Sequence, residues 1–279
     1  MDFSEFVPEL AGGIPLLLMF TLFALGTLLE RVAPIEKAQP FRNTVLNAAY
    51  ATITGWLGVA LGPLLGIAAT AIVNGLGGGF IALPAHGPLL IVSAIIYLLA
   101  IDLMEYAFHR AQHAWPFLWA MHSFHHSDPS VNVTTTARHY WLEMPIKAVF
   151  VYPVLAILFK VPAAVLAIYA VSTLMHYINH LNVRWRSPIP WMVLNNPQFH
   201  RIHHSLSPEH QNKNFAPYFP VWDILFGTAH APKPDEYPEA TGIEDAPGLI
   251  SLRTALLWPW RAKETPSPAE TAAPTKLAA

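Results

Sequence analysis

Histidine is the residue whose number and spacing first suggest chemistry in this chain. Fourteen are present, and eleven of them fall between His109 and His204. Ten of those form four short clusters: His109 and His113; His122, His125 and His126; His176 and His180; and His200, His203 and His204. The clusters read HxxxH, HxxHH, HxxxH, HxxHH. His109 and His113 are four apart at the end of an apolar stretch, so on a helix both rings face the same way, one turn apart. A single HxxxH pair is weak evidence, because ordinary packing produces it often. Four clusters are stronger: ten imidazoles desolvated one by one would be unfavourable, whereas a bound cation satisfies them and favours the neutral ring. One zinc ion takes four ligands, so ten nitrogens suit two ions with about five each. There is no cysteine, which excludes disulfides, thiolate zinc sites and cysteine-ligated iron–sulfur clusters and leaves imidazole and carboxylate as ligands.

The elements that must position these rings are apolar. Of 279 residues, 53% are hydrophobic and 12% charged, with a mean hydropathy of +0.36; a soluble domain carries about 25% charged residues. No Asp, Glu, Lys or Arg occurs in the 59 residues from Asn43 to Ile101, enough to cross roughly 30 Å of hydrocarbon more than once. The expected fold is all-α and membrane-integral: three spans at 10–29, 45–73 and 89–108, a helical hairpin at 146–178, and a cytoplasmic histidine-rich helical cap. Gly62 and Pro63 predict a kink or break in the second span. The hairpin's two pieces, 148–159 and 161–175, are separated by Lys160 and Pro162, and each is shorter than the roughly 20 residues of a full crossing. The hairpin is also a chemical requirement, since a single crossing would put His176 and His180 across the bilayer from the first two clusters.

The corresponding division is 1–108 for the N-terminal helices, 109–230 for the histidine-rich region, 231–261 for a cytoplasmic or interfacial segment and 262–279 for a disordered tail. In 251–260, apolar Leu252, Leu256, Leu257, Trp258 and Trp260 near Arg253 and Arg261 suit either an interfacial helix or a docking helix. The acidic start, with Asp2, Glu5 and Glu9, argues against a cleaved secretory signal. Arg31, Lys37 and Arg42, then Arg184, Arg186, Arg201 and Lys213, put the histidine side in the cytoplasm and the N-terminus outside. A net charge of −2 offers no field for nucleic acid.

Imidazole alone does not choose among iron, copper, zinc and nickel. Ligands at helix ends facing a bilayer rich in unreactive C–H bonds give an oxygen-activating metal an obvious use, so iron is expected, with zinc a possible substitute in recombinant protein. Asp102 and Glu105 lie one or two turns before His109 and are expected to orient ligand imidazoles, because carboxylates in a membrane span are costly and usually functional. Asp128, Glu143 and Asp223 are weaker candidates for that role. Phe108, Trp115, Trp119, Trp141 and Tyr177 are expected to line a lipid slit, although aromatics at an interface also serve as anchors.

The histidine clusters, the 132–138 stretch NVTTTAR, Asn195-Asn-Pro, Asn214-Phe-Ala and Trp222-Asp-Ile-Leu-Phe-Gly-Thr228 resemble the superfamily of fatty acid hydroxylases and sterol desaturases, over about 102–228. The resemblance is to its bacterial sterol desaturase-like members. It implies two iron ions held by the ten clustered histidines, molecular oxygen, and hydroxylation or desaturation of a sterol, fatty acyl or related lipid in a bacterial inner membrane. Electrons would come from a separate donor of ferredoxin or cytochrome b5 type, with no heme or flavin in this chain. Many relatives resemble Arg-x-His-x-x-Glu where this chain has Arg138-His-Tyr-Trp-Leu-Glu143, so His139 is kept outside the ligand set, as a residue that supports the ligands.

Two rivals compete. A polytopic metal-ion transporter would place ligands near the bilayer midplane on interrupted helices, often in repeated halves, and no repeat is visible. A membrane zinc hydrolase needs three ligands and an open position, and HExxH is absent.

Overall fold

Uncharged runs of Leu, Ile, Val and Ala satisfy their backbone polar groups most economically within one segment, and they form helices here. The computed structural model describes residues 13–185, 187–238, 240–244 and 250–260. The acidic N-terminus, Arg186, Arg261 and the expected disordered tail lie outside these residues. Three helices open the chain: α1 (Gly13–Glu30), α2 (Phe41–Leu76) and α3 (Pro88–Ala114). Two of them, α2 and α3, are long and apolar enough to cross a membrane, whereas the apolar helical stretch at 16–30 in α1 is shorter. At its 36 residues, α2 extends about 54 Å, well past the roughly 30 Å of hydrocarbon. It runs through Pro63 without the expected break; one missing hydrogen bond is a small fraction of a ladder this long. Leu17, Leu25, Leu64, Ile67, Leu89 and Ile91 turn outward from the three helices. Such contiguous apolar surface is uncommon on soluble monomers.

The second half of the bundle returns upon itself. Helices α5 (Glu143–Phe150) and α6 (Tyr152–Leu158) descend to the two-residue strand β2 (Phe159–Lys160), and α7 (Ala163–Ser172) and α8 (Leu174–Asn179) climb back. Pro153 sits in the first turn of α6, where a missing N–H costs least, and marks the break from α5. Pro162 is the N-cap of α7. At the tip, β2 pairs in parallel with β1 (Ile81–Ala82), in the loop joining α2 to α3. The tip is thereby fixed at the far end of α3, and Glu143 and Asn179 return to the end where α3 carries His109 and His113.

At that end, Trp115 is extended before Pro116, as a residue preceding proline prefers. The chain folds back there into α4 (Pro116–His126). Beneath lies a buried polar layer. Glu30 Oε1 accepts from the backbone N–H of Val133 at 2.7 Å and Asn182 at 3.0 Å. Asn47 Nδ2 donates to Asp128 Oδ2 at 3.0 Å and to Thr134 Oγ1 at 3.1 Å. Arg138, 2% exposed, donates to the Phe124 carbonyl, to Asn47 Oδ1 and to Ser127 Oγ. Arg201 reaches the Val131 carbonyl and Glu36. The C-terminal helix α11 (Leu252–Leu256) docks: Trp258 is buried beside Phe124, and its Nε1 donates to Ser123 Oγ at 2.9 Å. Of the two readings left open for 251–260, docking accounts for Ala255 and Trp258, while Leu257 and Trp260 stay exposed.

Replacing Arg138 removes donors from three buried acceptors at once. Arg138→Ala is therefore expected to cost about 3 kcal/mol, seen as a fall of roughly 6–12 °C in the melting temperature of the detergent-solubilised protein. An unchanged melt would show that this layer does not hold the bundle end together.

Candidate metal centre

An HxxHH motif on a helix sets its first and last rings nearly above one another and turns the middle ring aside. In α4 the outer pair, His122 and His126, joins His109 and His113 of α3 and His203; ligand atoms of these five all lie within 4.8 Å of one another. The middle ring, His125, turns instead to His180, His200 and His204, a second group of the same kind. Helix α9 (Pro197–His203), capped by Asn196 Oδ1 accepting from the Phe199 N–H, does the reverse. Its outer pair, His200 and His204, enters the second group, and His203 enters the first. The two helices thus exchange one ring each, and the groups adjoin, with the His126 and His204 rings 4.6 Å apart.

The donor atoms converge. Nε2 of His113 and Nε2 of His126 are 3.2 Å apart; in the second group, His180 lies 3.2 Å from His125 and 3.0 Å from His200, and His204 lies 3.2 Å from His200, all between Nε2 atoms. Metal–nitrogen bonds of 2.0–2.1 Å set at right angles give edges of about 3 Å. Three rings are oriented by carbonyls: Nδ1 of His109 lies 2.7 Å from the Phe215 oxygen, Nδ1 of His203 lies 2.8 Å from that of Lys213, and Nδ1 of His180 lies 2.7 Å from that of His176. A proton on Nδ1 in each leaves Nε2 as a lone pair. Among the described residues, Nε2 of His109, His122 and His203 and Nδ1 of His113, His122, His125, His200 and His204 are buried without a hydrogen-bond partner. A cation bound through Nε2 offsets the desolvation cost of that atom at His109, His122 and His203. Burial also holds His122, His125, His126, His200 and His204 below the ordinary imidazole range and brings His203 down to about 3. All six are neutral at pH 7, the form that ligates. The residues present therefore fit two cations, one per group.

The other predicted residues are placed differently. His176 enters neither group: the Tyr218 hydroxyl lies 3.0 Å from its Nε2, so this ring is engaged by a side chain outside the motif. Asp102 touches no histidine. Its two oxygens accept from the backbone N–H groups of Tyr218 and Phe219 at 2.8 and 2.9 Å. Asp223 accepts from Phe215 and Ala216 N–H at 2.8 Å each, and burial raises its carboxyl above the usual range. These two carboxylates fix the 213–219 loop, whose carbonyls orient His109 and His203, so they act one step further out than expected. Asp128 belongs to the polar layer, accepting from Asn47 and Thr135. Glu105 pairs with Lys147 Nζ at 2.5 Å. Glu143, expected only weakly, is the carboxylate nearest the rings: Oε2 accepts from Gln112 Nε2 at 2.8 Å, lies 3.1 Å from His139 Nδ1, and stands 3.7 Å from His122 Nδ1. His139 in turn stacks on His125 with ring centres 4.3 Å apart.

A small cavity of about 60 Å³ touches both groups and is walled by Glu105, Lys147, His139, His176 and Phe215, among others. None of Phe108, Trp115, Trp119, Trp141 or Tyr177 lines it. Trp119 packs on His113 and His126, Trp141 packs against the core around Tyr50, Tyr177 packs on Phe23, and Trp115 points outward. Trp119, Trp141 and Tyr177 are consumed by packing, and Phe215 stands on the cavity wall instead. Gln112, Lys147 and Tyr218 were missed because lone polar residues carry no spacing signal.

Residues 94–228, which contain every clustered histidine, match the sequence model of the fatty acid hydroxylase family. An alkylglycerol monooxygenase of Xenopus tropicalis is 32% identical over 132 residues, 47% of this chain and 29% of that protein. That of Danio rerio is 34% identical over 140 residues, 50% and 30% respectively. An ornithine lipid hydroxylase of Rhizobium tropici is 31% identical over 127 residues, 46% and 38%. The matched part thus spans less than a third of the length of these monooxygenases. No solved structure matches the chain.

If Glu143 orients the rings, Glu143→Gln should weaken metal binding roughly 10–100-fold, measured by competition with a chromophoric chelator. Unchanged affinity would limit Glu143 to packing.

Proposed function

We propose, for a chain whose residues 94–228 belong to the fatty acid hydroxylase family, the role of a membrane-bound dinuclear iron enzyme that hydroxylates a lipid C–H bond using O2. The observation that carries this reading is the convergence of nine imidazoles, eight of them buried, into two adjoining groups beside one cavity. His109, His113, His122, His126 and His203 would hold one ion, and His125, His180, His200 and His204 the other. When bound, two irons supply the reductive activation of O2 that an unactivated C–H bond requires. Hydroxylation balances as R–H + O2 + 2 electrons + 2 protons giving R–OH + H2O, so an external electron donor is part of the proposal. Relatives named as a monooxygenase and a lipid hydroxylase support hydroxylation over desaturation.

The chain's own residues have definable parts in this reaction. The 213–219 loop, fixed by Asp102 and Asp223, keeps the imidazoles of His109 and His203 turned inward. Glu143 holds Gln112 and His139, the latter stacked on His125. Lys147 and Glu105 set a proton donor and a proton acceptor on the cavity wall, where the protons consumed by the reaction must arrive. His176, hydrogen-bonded to Tyr218, belongs to that wall and completes the ligand set only by turning away from the hydroxyl. A membrane setting is supported by the outward apolar faces of α1, α2 and α3. The basic α1–α2 connection lies at the histidine end, tied there through Glu36 and Asn182. By the positive-inside tendency that end is cytoplasmic.

The test is lipid mass spectrometry on membranes with and without the protein, incubated under labelled oxygen with a reductant. One lipid class should gain a single labelled oxygen atom. Loss of two hydrogens instead would replace hydroxylation with desaturation, and an unaltered lipid profile would refute the oxygenase.

A further inference from the structure

Beyond the two histidine groups, His210, His230 and Glu236 bring ligand atoms within 4.8 Å of one another. None of the three belongs to the four clusters described above. His210 is buried and ends the short turn Pro208–His210, just after the His200–His204 cluster, while His230 and Glu236 come from the loop that follows α10 (Val221–Leu225). Nε2 of His210 stands 3.4 Å from Glu236 Oε1, and Nε2 of His230 stands 3.2 Å from the same oxygen. Tetrahedral coordination with bonds of 2.0–2.1 Å puts neighbouring donor atoms about 3.3 Å apart, which is the spacing found.

Three features aim these atoms. The His210 ring has Nδ1 2.9 Å from Ser205 Oγ; in the tautomer where Nδ1 donates to that hydroxyl, Nε2 carries the lone pair. That Nε2 is buried and has no hydrogen-bond partner. Glu236 is held by its other oxygen, Oε2, which accepts from the Lys233 N–H at 2.7 Å. His230 is fixed through its backbone N–H, which donates to Asn214 Oδ1 at 2.7 Å. Glu209 Oε1 lies 3.9 Å from His210 Nε2 on a largely exposed side chain, so the outer side is open to this carboxylate or to solvent.

We propose that His210, His230 and Glu236 form a mononuclear site for a zinc-class divalent cation. Two imidazoles and one carboxylate with an open fourth position suit zinc. The ion would tie the segment leaving His204 to the 230–236 loop, so it would brace the last histidine cluster from outside. Ser205 follows His204 directly and contacts His210, and Asn214 precedes Phe215, whose carbonyl orients His109. This site does not depend on the dinuclear reading, because it shares no residue with either group.

The full-length protein, purified in detergent, stripped by chelator and re-equilibrated with Zn²⁺ alone, should hold one ion more per chain than Glu236→Gln or His230→Asn. The difference reads the third site whatever number the histidine groups bind. With Co²⁺ in place of zinc, the wild-type spectrum minus that of either variant should show the intense visible absorption of one tetrahedral cobalt. Equal metal content in wild type and variants would overturn the proposal. Should one variant fail to fold, the other decides by the same metal count, and a flat cobalt difference spectrum overturns the proposal equally.

Discussion

Nine imidazoles packed at the end of an apolar bundle, most with a ring nitrogen lacking any hydrogen-bond partner, are the constraint on which the rest of the structure depends. Neutral rings in such number have little to gain from one another: between adjacent Nε2 atoms, at most one can be a donor. A cation among them turns each lone pair from a cost into a bond. Every larger feature serves this convergence. The Trp115–Pro116 corner folds α4 back under α3, and the hairpin, pinned at its tip to the β1 loop, returns His180 to the same end.

Around the rings the protein spends buried polar groups in two layers. Asp102, Asp223 and Glu143 fix the backbone and side chains that aim the imidazoles. Glu30, Asn47, Asp128, Arg138 and Arg201 join α1, α2 and α4 to the loop over 127–138. These residues are nearly all hydrogen-bonded, as buried polar groups must be. Among the described residues, the orphaned atoms fall mainly on histidine, and the structure thereby separates scaffold from site.

Much of this was legible in the sequence, for reasons that can be stated. Helix periodicity put His109 with His113, and uncharged length marked α2 and α3. The requirement that all clusters meet on one side predicted the hairpin before any coordinates. Periodicity could not show that α4 and α9 trade rings, because that depends on how two helices face each other. It also gave His176 the same standing as His180, since only the tertiary contact with Tyr218 distinguishes them. Asp102 was assigned to the rings because it shares a helix with them. Its actual partners, Tyr218 and Phe219, lie more than a hundred residues along the chain. Trp119, Trp141 and Tyr177, expected to line a slit, are taken up by packing, a competition that composition does not reveal.

The central claim is that two groups of histidines hold two ions close together. X-ray absorption on the iron-loaded protein tests it most directly. The account predicts, at two irons per chain, a first shell dominated by nitrogen with multiple scattering from about four imidazoles per iron. A shell of mostly oxygen, with scattering from fewer than about two imidazoles per iron in a sample holding two irons per chain, would contradict it.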